Sequence, residues 1–309
     1  MIKYELIKNI DGLSLNLGVT RAYLTQAIES PILQYNVAKI PKRGGKGRRT
    51  LYLANDILKG IQKIIRDDLT DRTKWPDCVH GFVKDRSIAT NAKLHLSKRV
   101  ILNLDIKSYF ESIDKAKVAQ VFCTLGATEK IGDLLAAICT CDDYLVPGTV
   151  CAPIISNMVF SNCDKDLLEI AAKFQCTYSR YVDDITFSGE NTPPIKEIDN
   201  VLKYHGFFRN TEKTFRQTRG RRQYVTGLTV FDRTIPRIPK WKKNEFRKKI
   251  HFMEKYGIDG HLSRIGSRES VVDFVIRFDG LISFYLSIEP HFISKYMGNW
   301  QKAKNSWGY

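Results

Sequence analysis

The stretch Thr177-Tyr-Ser-Arg-Tyr-Val-Asp-Asp-Ile-Thr-Phe-Ser188 decides the fold. Aromatic and β-branched residues flank Tyr181-Val182-Asp183-Asp184, so the segment reads as a strand, a tight turn and a returning strand. Two adjacent carboxylates repel each other, and burying them calls for a counter-cation. Oxygen-only ligands suit Mg²⁺, or Mn²⁺ in its place, rather than zinc. The plainer alternative is a polar hairpin tip with two solvated aspartates. Only the rest of the chain can separate the two.

Upstream, Arg99-Val-Ile-Leu-Asn-Leu-Asp105 is an apolar run that ends in a carboxylate. It predicts a buried strand delivering Asp105 at its C-terminal end, with a helix from about Asp114. One acid from that strand and two from a neighbouring hairpin make a donor set for two divalent ions. Such pairs serve in-line phosphoryl transfer, activating the attacking hydroxyl and stabilising the leaving pyrophosphate.

Composition points to the same chemistry. Among 309 residues, 49 Lys and Arg outweigh 33 Asp and Glu, for a formal charge of +16. Such an excess creates a field suited to a polyanion. It is concentrated in Arg209–Arg222 and Lys240–Lys249, each with six basic residues and a single acid. In the second run Phe246, Ile250 and Met253 recur at helical spacing, which leaves the basic residues on the opposite face. A solvated helix face would explain either run alone. Beside a phosphoryl-transfer site, phosphate contact is the better reading, with Lys240, Lys242, Lys243, Arg247 and Lys248 as candidates. The apolar face is short and broken by His251 and Glu254, which argues against a membrane surface. No apolar run reaches transmembrane length, and Met1-Ile-Lys-Tyr-Glu-Leu6 lacks the layout of a signal peptide. Seven cysteines without Cys-x-x-Cys spacing predict reduced thiols in a cytoplasmic protein and no zinc site.

Residues 1 to about 33 read as short helices. Strands over 34–41 and 48–53 would be joined by a basic, glycine-rich tip, where Lys42, Lys46 and Arg49 could meet a triphosphate. Helices are expected over about 55–70 and 114–140, strands near 99–105, 177–188 and 224–231, and mainly helix from 240 onward. Glu190–Ile195 and Asp232–Pro239 are the candidate breaks.

Asp105-Ile-Lys-Ser-Tyr-Phe110 and Tyr181-Val-Asp-Asp184 together resemble the two metal-binding motifs of reverse transcriptases. The resemblance extends to Lys46–Tyr52, to His80–Ile88, and to Asn210-Thr-Glu-Lys-Thr214, which places a lysine near the incoming nucleotide. Asn91-Ala-Lys-Leu-His95 and Val225-Thr-Gly-Leu228 resemble two elements of bacterial retron reverse transcriptases, and Gly280–Ile288 resembles their thumb helix. One motif departs from the pattern. In Val146-Pro-Gly-Thr-Val-Cys-Ala-Pro153, Pro147 and Ala152 stand where the family carries Gln and Ser, removing a side-chain amide that could bond nucleotide or template.

The resemblance implies an α+β right-hand polymerase: N-terminal helices and fingers over 1–98, an antiparallel palm over 99–232, and a basic helical thumb over 233–309. It implies that Asp105, Asp183 and Asp184, with the carbonyl of Ile106, hold two Mg²⁺ ions. Phe110 would exclude ribonucleotides by clashing with their 2′-hydroxyl. Lys213 would donate a proton to pyrophosphate or hold its charge, while Tyr181 and Val182 would brace the primer end. Asn91, His95, Val225, Thr226 and Gly227 would contact the retron RNA; a structural, hydrogen-bonded role is the alternative for His95. The implied activity is RNA-directed DNA synthesis from dNTPs on a cognate non-coding RNA (msr-msd), primed from a guanosine 2′-hydroxyl. The product is a branched RNA–DNA molecule, msDNA, and a separate effector protein would join in anti-phage defence. Group II intron and diversity-generating reverse transcriptases share the palm motifs, and a scaffold that has lost its chemistry could share the fold. Neither alternative accounts for both retron elements and an intact acidic triad.

Overall fold

A four-stranded antiparallel sheet carries the molecule, and the computed structural model describes residues 1–41 and 47–305. Its strand order is Thr177–Tyr181, Asp184–Gly189, Val100–Asp105, Phe215–Thr218. The two central strands are nearly continuous in burial, because Leu102 and Leu104 pack into the larger core and Ile101 into the smaller one. Ala152–Lys173 lies against this sheet, and Asp56–Arg72 packs on that helix in turn. In Asp56–Arg72 the side chains of Leu58, Ile61, Ile65 and Leu69 form one buried stripe at helical spacing. The Asn55 side chain accepts from the Leu58 N–H and fixes where that helix starts.

Two hydrophobic cores divide the described residues. The larger joins the N-terminal helices, the sheet and its covering helices, with Tyr4, Phe122, Phe160 and Phe187 fully buried. The smaller is built on Lys240–Arg264, Val271–Ile288 and Met297–Asn305, and it buries Phe246, Ile250 and Met253 as their spacing requires. It reaches back to the sheet through Ala92, Ile101, Val225 and Leu228. The result is a right-hand architecture of fingers, palm and helical thumb. Strands Tyr35–Pro41 and Arg48–Ala54 form a separate fingers ribbon. Among the described residues no helix is long and apolar enough to cross a membrane, and all seven cysteines are free thiols.

Three elements differ from their sequence expectation. The helix expected over 114–140 is two, Lys115–Thr124 and Glu129–Cys139. Gly126 takes a φ of +96° that ends the first, and the Thr128 hydroxyl accepts from Ile131 N–H to start the second. The strand expected over 224–231 is a hairpin of two-residue strands, Tyr224–Val225 and Leu228–Thr229. Thr226 and Gly227, at φ +44° and +79°, form the tight turn between them. The edge strand Phe215–Thr218 was not expected, because its Arg216 and Gln217 hide any apolar alternation.

A further correction concerns Asn91 and His95, for which the resemblance implies RNA contact. Both are completely buried. The Ser179 hydroxyl donates to Asn91 Oδ1 at 2.7 Å, leaving its oxygen to accept from His95 Nε2–H at 2.7 Å. His95 Nδ1 must then accept from the Ser188 hydroxyl, 2.6 Å away. This neutral tautomer clamps the short helix Ile88–Lys93 and its end to both strands of the acidic hairpin. Burial first, then the Lys98 charge, pushes the imidazole pKa down to about 3.

A base whose folded pKa is depressed contributes stability above its unfolded value near 6.5, and loses it as pH falls toward 3. His95→Ala should therefore cost about 2–4 kcal/mol in urea denaturation at neutral pH. It should also flatten the loss of stability on acidification. An unchanged unfolding midpoint would contradict the clamp.

Candidate active site

Antiparallel register does most of the assembly. Asp105 lies directly opposite Asp184 across the two central strands, and Asp183 sits in the two-residue turn that precedes Asp184. Directly opposed like charges destabilise a sheet, so three acids here are sustained only by compensation. The turn is also strained, since Val182 has a φ of +61°, which a β-branched residue rarely adopts.

What holds the turn is Arg180. Its guanidinium is wholly buried and binds both oxygens of Asp164, Nε at 2.8 Å and Nη2 at 2.6 Å. The remaining Nη1 donates to the Val182 carbonyl at 3.0 Å and to Asn157 Oδ1 at 2.9 Å. Phe160 lies under the guanidinium, 4.6 Å from ring centroid to Cζ. Asn157 in turn donates to the Gly81 carbonyl at 2.8 Å. Backbone from Cys78 to His80 pairs with Arg180, and a Cβ at Gly81 would run into the Val182 backbone nitrogen. Ile106 N–H donates to the Asp183 carbonyl at 3.0 Å, which closes the other side. Sequence inspection missed Arg180, Asp164 and Gly81. The one available signal was a charged residue inside an otherwise apolar and hydroxylic strand.

The electrostatics match this crowding. Burial, then Asp183 and Asp105, raises the Asp184 carboxyl to about 7, although part of the residue opens to the cleft. Burial and then Asp105 also raise Asp183, against the pull of Lys213 and Arg49. Lys213 Nζ donates to Asp105 Oδ2 at 2.7 Å, and that bond raises the ammonium pKa. The donor chemistry, three hard carboxylates, fits Mg²⁺ or Mn²⁺. As the side chains stand, no three His, Cys, Asp or Glu among the described residues converge on one metal position. The Lys213 ammonium offsets the charge of Asp105 through Oδ2 alone.

A cleft of about 740 Å³ opens over these groups, lined by Asp105, Asp184, Lys213, Thr226, Gly227 and Lys242 among others. A comparable cavity of about 770 Å³ lies on the back of the palm; its one carboxylate, Asp164, is already committed to Arg180, so the chemistry belongs to the first. Tyr181 is half-buried beside the acids, and Phe110 is half-buried edge-on to Tyr109. Val225 is buried in the thumb-side core, while the Thr226 hydroxyl donates to the Ile88 carbonyl at 3.0 Å. That bond ties the Val225–Leu228 element to the helix Ile88–Lys93, which carries Asn91. Lys240, Arg247 and Lys248 stand exposed on the first thumb helix, whereas Lys243 is tied to buried Glu289 at 2.6 Å. Arg49 is exposed on the fingers ribbon, and Lys42 and Lys46 lie outside the described residues. The Pro147 carbonyl accepts from Tyr52 N–H at 3.0 Å, docking the divergent loop on the fingers, and Ala152 is buried at the start of its helix.

An acid on a central palm strand opposite a paired-acid hairpin defines the class of right-hand nucleotidyl-transferring polymerases. Residues 40–246 match the family model described as reverse transcriptase (RNA-dependent DNA polymerase). Retron Mx65 reverse transcriptase of Myxococcus xanthus is 31% identical over 71% of this chain and 56% of its own length. Retron Ec86 reverse transcriptase of Escherichia coli is 26% identical over 93% of this chain and 91% of its own. The chain thus spans little more than half of the first relative and nearly all of the second. Among solved structures, apo telomerase from Candida tropicalis truncated from its C-terminal domain is similar at a TM-score of 0.46 and 13% identity, over 70% of this chain and 60% of that one. The chain belongs to the reverse transcriptase family, in its bacterial retron branch.

The raised carboxyls set a pH dependence. Below about 7 Asp184 is protonated, and a divalent ion must expel that proton. Apparent Mn²⁺ affinity should fall by up to about tenfold per pH unit below 7 and level off above it. Calorimetry in two buffers of different ionisation enthalpy would read the released proton directly. Affinity independent of pH between about 6 and 8 would contradict the assignment.

Proposed function

We propose that this chain is the RNA-directed DNA polymerase of a retron. It copies part of a cognate structured RNA, extends from a guanosine 2′-hydroxyl of that RNA, and yields a branched RNA–DNA product. The observation that carries this reading is the placement of Asp105 opposite Asp184, with Asp183 in the adjoining turn, in a cleft that Lys213 and Lys242 also line, in a chain whose relatives are retron reverse transcriptases.

When bound, two divalent ions would lower the pKa of the attacking hydroxyl and neutralise charge on the departing pyrophosphate. Asp105, Asp183 and Asp184, with the Ile106 carbonyl, are the groups to hold them. The Arg180 network keeps Asp183 and Asp184 at a fixed separation from Asp105, so alignment is settled before substrate arrives. Lys213, released from Asp105, has a side chain 61% exposed and can swing toward the triphosphate. There its ammonium would offset the charge that develops on the leaving oxygens. Arg49 would contact the same triphosphate from the fingers. Phe110 is assigned to the sugar, where a ring would exclude a 2′-hydroxyl. The exposed cations of the first thumb helix would hold phosphates without reading sequence. Action with a separate effector protein against phage completes the proposal and rests on the family resemblance.

The test is to express the gene with its flanking DNA, purify the protein and resolve its bound nucleic acid on a denaturing gel, with Asp183→Asn alongside. The expected result is a discrete DNA joined to an RNase-sensitive segment, reduced about a thousandfold or more in the variant. RNA alone in both samples would favour a scaffold, and no bound nucleic acid would overturn the retron reading.

A further inference from the structure

The hairpin Tyr224–Val225 and Leu228–Thr229 divides two cavities. Thr226 and Gly227 at its tip line the catalytic cleft, whereas Thr229 lines a second cavity of about 650 Å³, and Tyr224 lines both. The second cavity combines two features that soluble surfaces seldom place together. Phe231 and Trp241, 57% and 56% exposed, both line it. Around them stand Arg221, Arg222 and Lys240, and no Asp or Glu is part of the lining. Among the described residues these three cations form no ion pair. Lys243 and Arg247, also at its edge, are committed elsewhere, to Glu289 at 2.6 Å and to Tyr296 at 3.0 Å. Each exposed ring is paired with a cation outside the lining or beside it: Arg219 lies 5.6 Å from the Phe231 centroid and Lys242 5.5 Å from that of Trp241.

We propose that this cavity is a single-strand RNA site, in which an unpaired base stacks on Trp241 or Phe231 while its flanking phosphates meet Arg221, Arg222 and Lys240. The proposal rests on the reading of the chain as an RNA-dependent polymerase and adds a second RNA contact outside the catalytic cleft. Three arguments select the ligand. Uncompensated guanidinium and ammonium groups call for an anion, and a guanidinium fork suits phosphate. Exposed flat rings gain most from a partner with a π-face, which every base has and a phosphate lacks. Bases inside an A-form duplex are stacked on each other and cannot offer that face, so the strand must be unpaired there. The volume falls within the range of pockets for small ligands, enough for a base but not for a helix end. The loop 232–239, which connects Phe231 to the helix of Trp241, is itself braced. Asp232 accepts from Thr234 and Ile235 N–H, and Arg237 bridges Asp232 to Glu289.

The test uses the full chain and an oligo(U) RNA of about 15 nucleotides carrying a central 5-iodouridine, with a blunt RNA duplex of equal length as comparison. Irradiation and peptide mapping should place the adduct on Trp241 or Phe231. Replacing both rings, Phe231→Ala with Trp241→Ala, should weaken oligo(U) about tenfold or more and leave duplex binding unchanged. Trp241→Phe should restore most of the loss, which separates stacking from misfolding. Adducts confined to the catalytic cleft, with wild-type oligo(U) affinity in the double variant, would overturn the proposal. So would a poly-glutamate peptide that displaces oligo(U) at equal concentration and needs the same rings, because the cavity would then belong to an acidic protein partner. Extension of oligo(dT) on poly(rA) by the unaltered protein is measured in parallel. Ring-dependent RNA binding without extension would remove the polymerase reading and leave the site standing; extension without ring dependence would do the reverse.

Discussion

The buried ion pair between Arg180 and Asp164 is the interaction on which the rest of this structure depends. Taking both charges out of water is costly, and a hydrophobic pair of equal volume would often leave a protein as stable or more so. Its value here is directional. The bidentate contact to Asp164 fixes the plane of the guanidinium, which leaves one nitrogen aimed at the Val182 carbonyl and the Asn157 side chain. Arg180 lies on the strand that enters the acidic turn, Asp164 and Asn157 on the covering helix, and Gly81 on the segment added alongside. Three stretches of the chain are thereby tied to the backbone of the catalytic turn. A Val at positive φ persists because everything around it is already fixed.

The second constraint is repulsion among the acids. Sheet register brings Asp105 opposite Asp184, and Asp183 adds a third charge. Without an added ion, the protein relieves this by raising two carboxyl pKa values and by laying the Lys213 ammonium on Asp105. The same lysine is mobile enough to leave, since most of its side chain is in solvent. Ion-free compensation and the later handling of a triphosphate thus draw on one side chain. On the far side of the cleft, the Thr226 bond to Ile88 and the burial of Ala92 with Val225 link the thumb-side core to the palm. His95 then carries that link into the acidic hairpin itself.

Much of this was legible in the sequence because it is local. Strand, turn and strand at Thr177–Ser188, the apolar run ending at Asp105, and the helical spacing of Phe246, Ile250 and Met253 are all set by near neighbours. The interruptions at Gly126 and at Thr226-Gly227 were present as residues but were outweighed by apolar runs on either side. The parts that were not legible are tertiary. Arg180 reads as a solvent-facing strand residue until Asp164 arrives from another helix. Asn91 and His95 read as polar contacts until Ser179 and Ser188 enclose them. The aromatic and basic cavity beside Trp241 depends on Gly220–Gln223 folding back against the start of the thumb.

The central claim is that the buried pair exists to position the acids rather than to stabilise the fold. Replacing both partners, Arg180→Met with Asp164→Leu, separates the two roles. If the claim holds, the double variant should still unfold cooperatively in urea, with its midpoint lowered only by the Tyr178 hydroxyl, Asn157 oxygen and Val182 carbonyl left without partners. Its rate of oligo(dT) extension on poly(rA) should nonetheless fall about a hundredfold where the variant is fully folded, because the turn is no longer aligned with Asp105. A folded variant that extends within a few-fold of the unaltered rate would contradict the account.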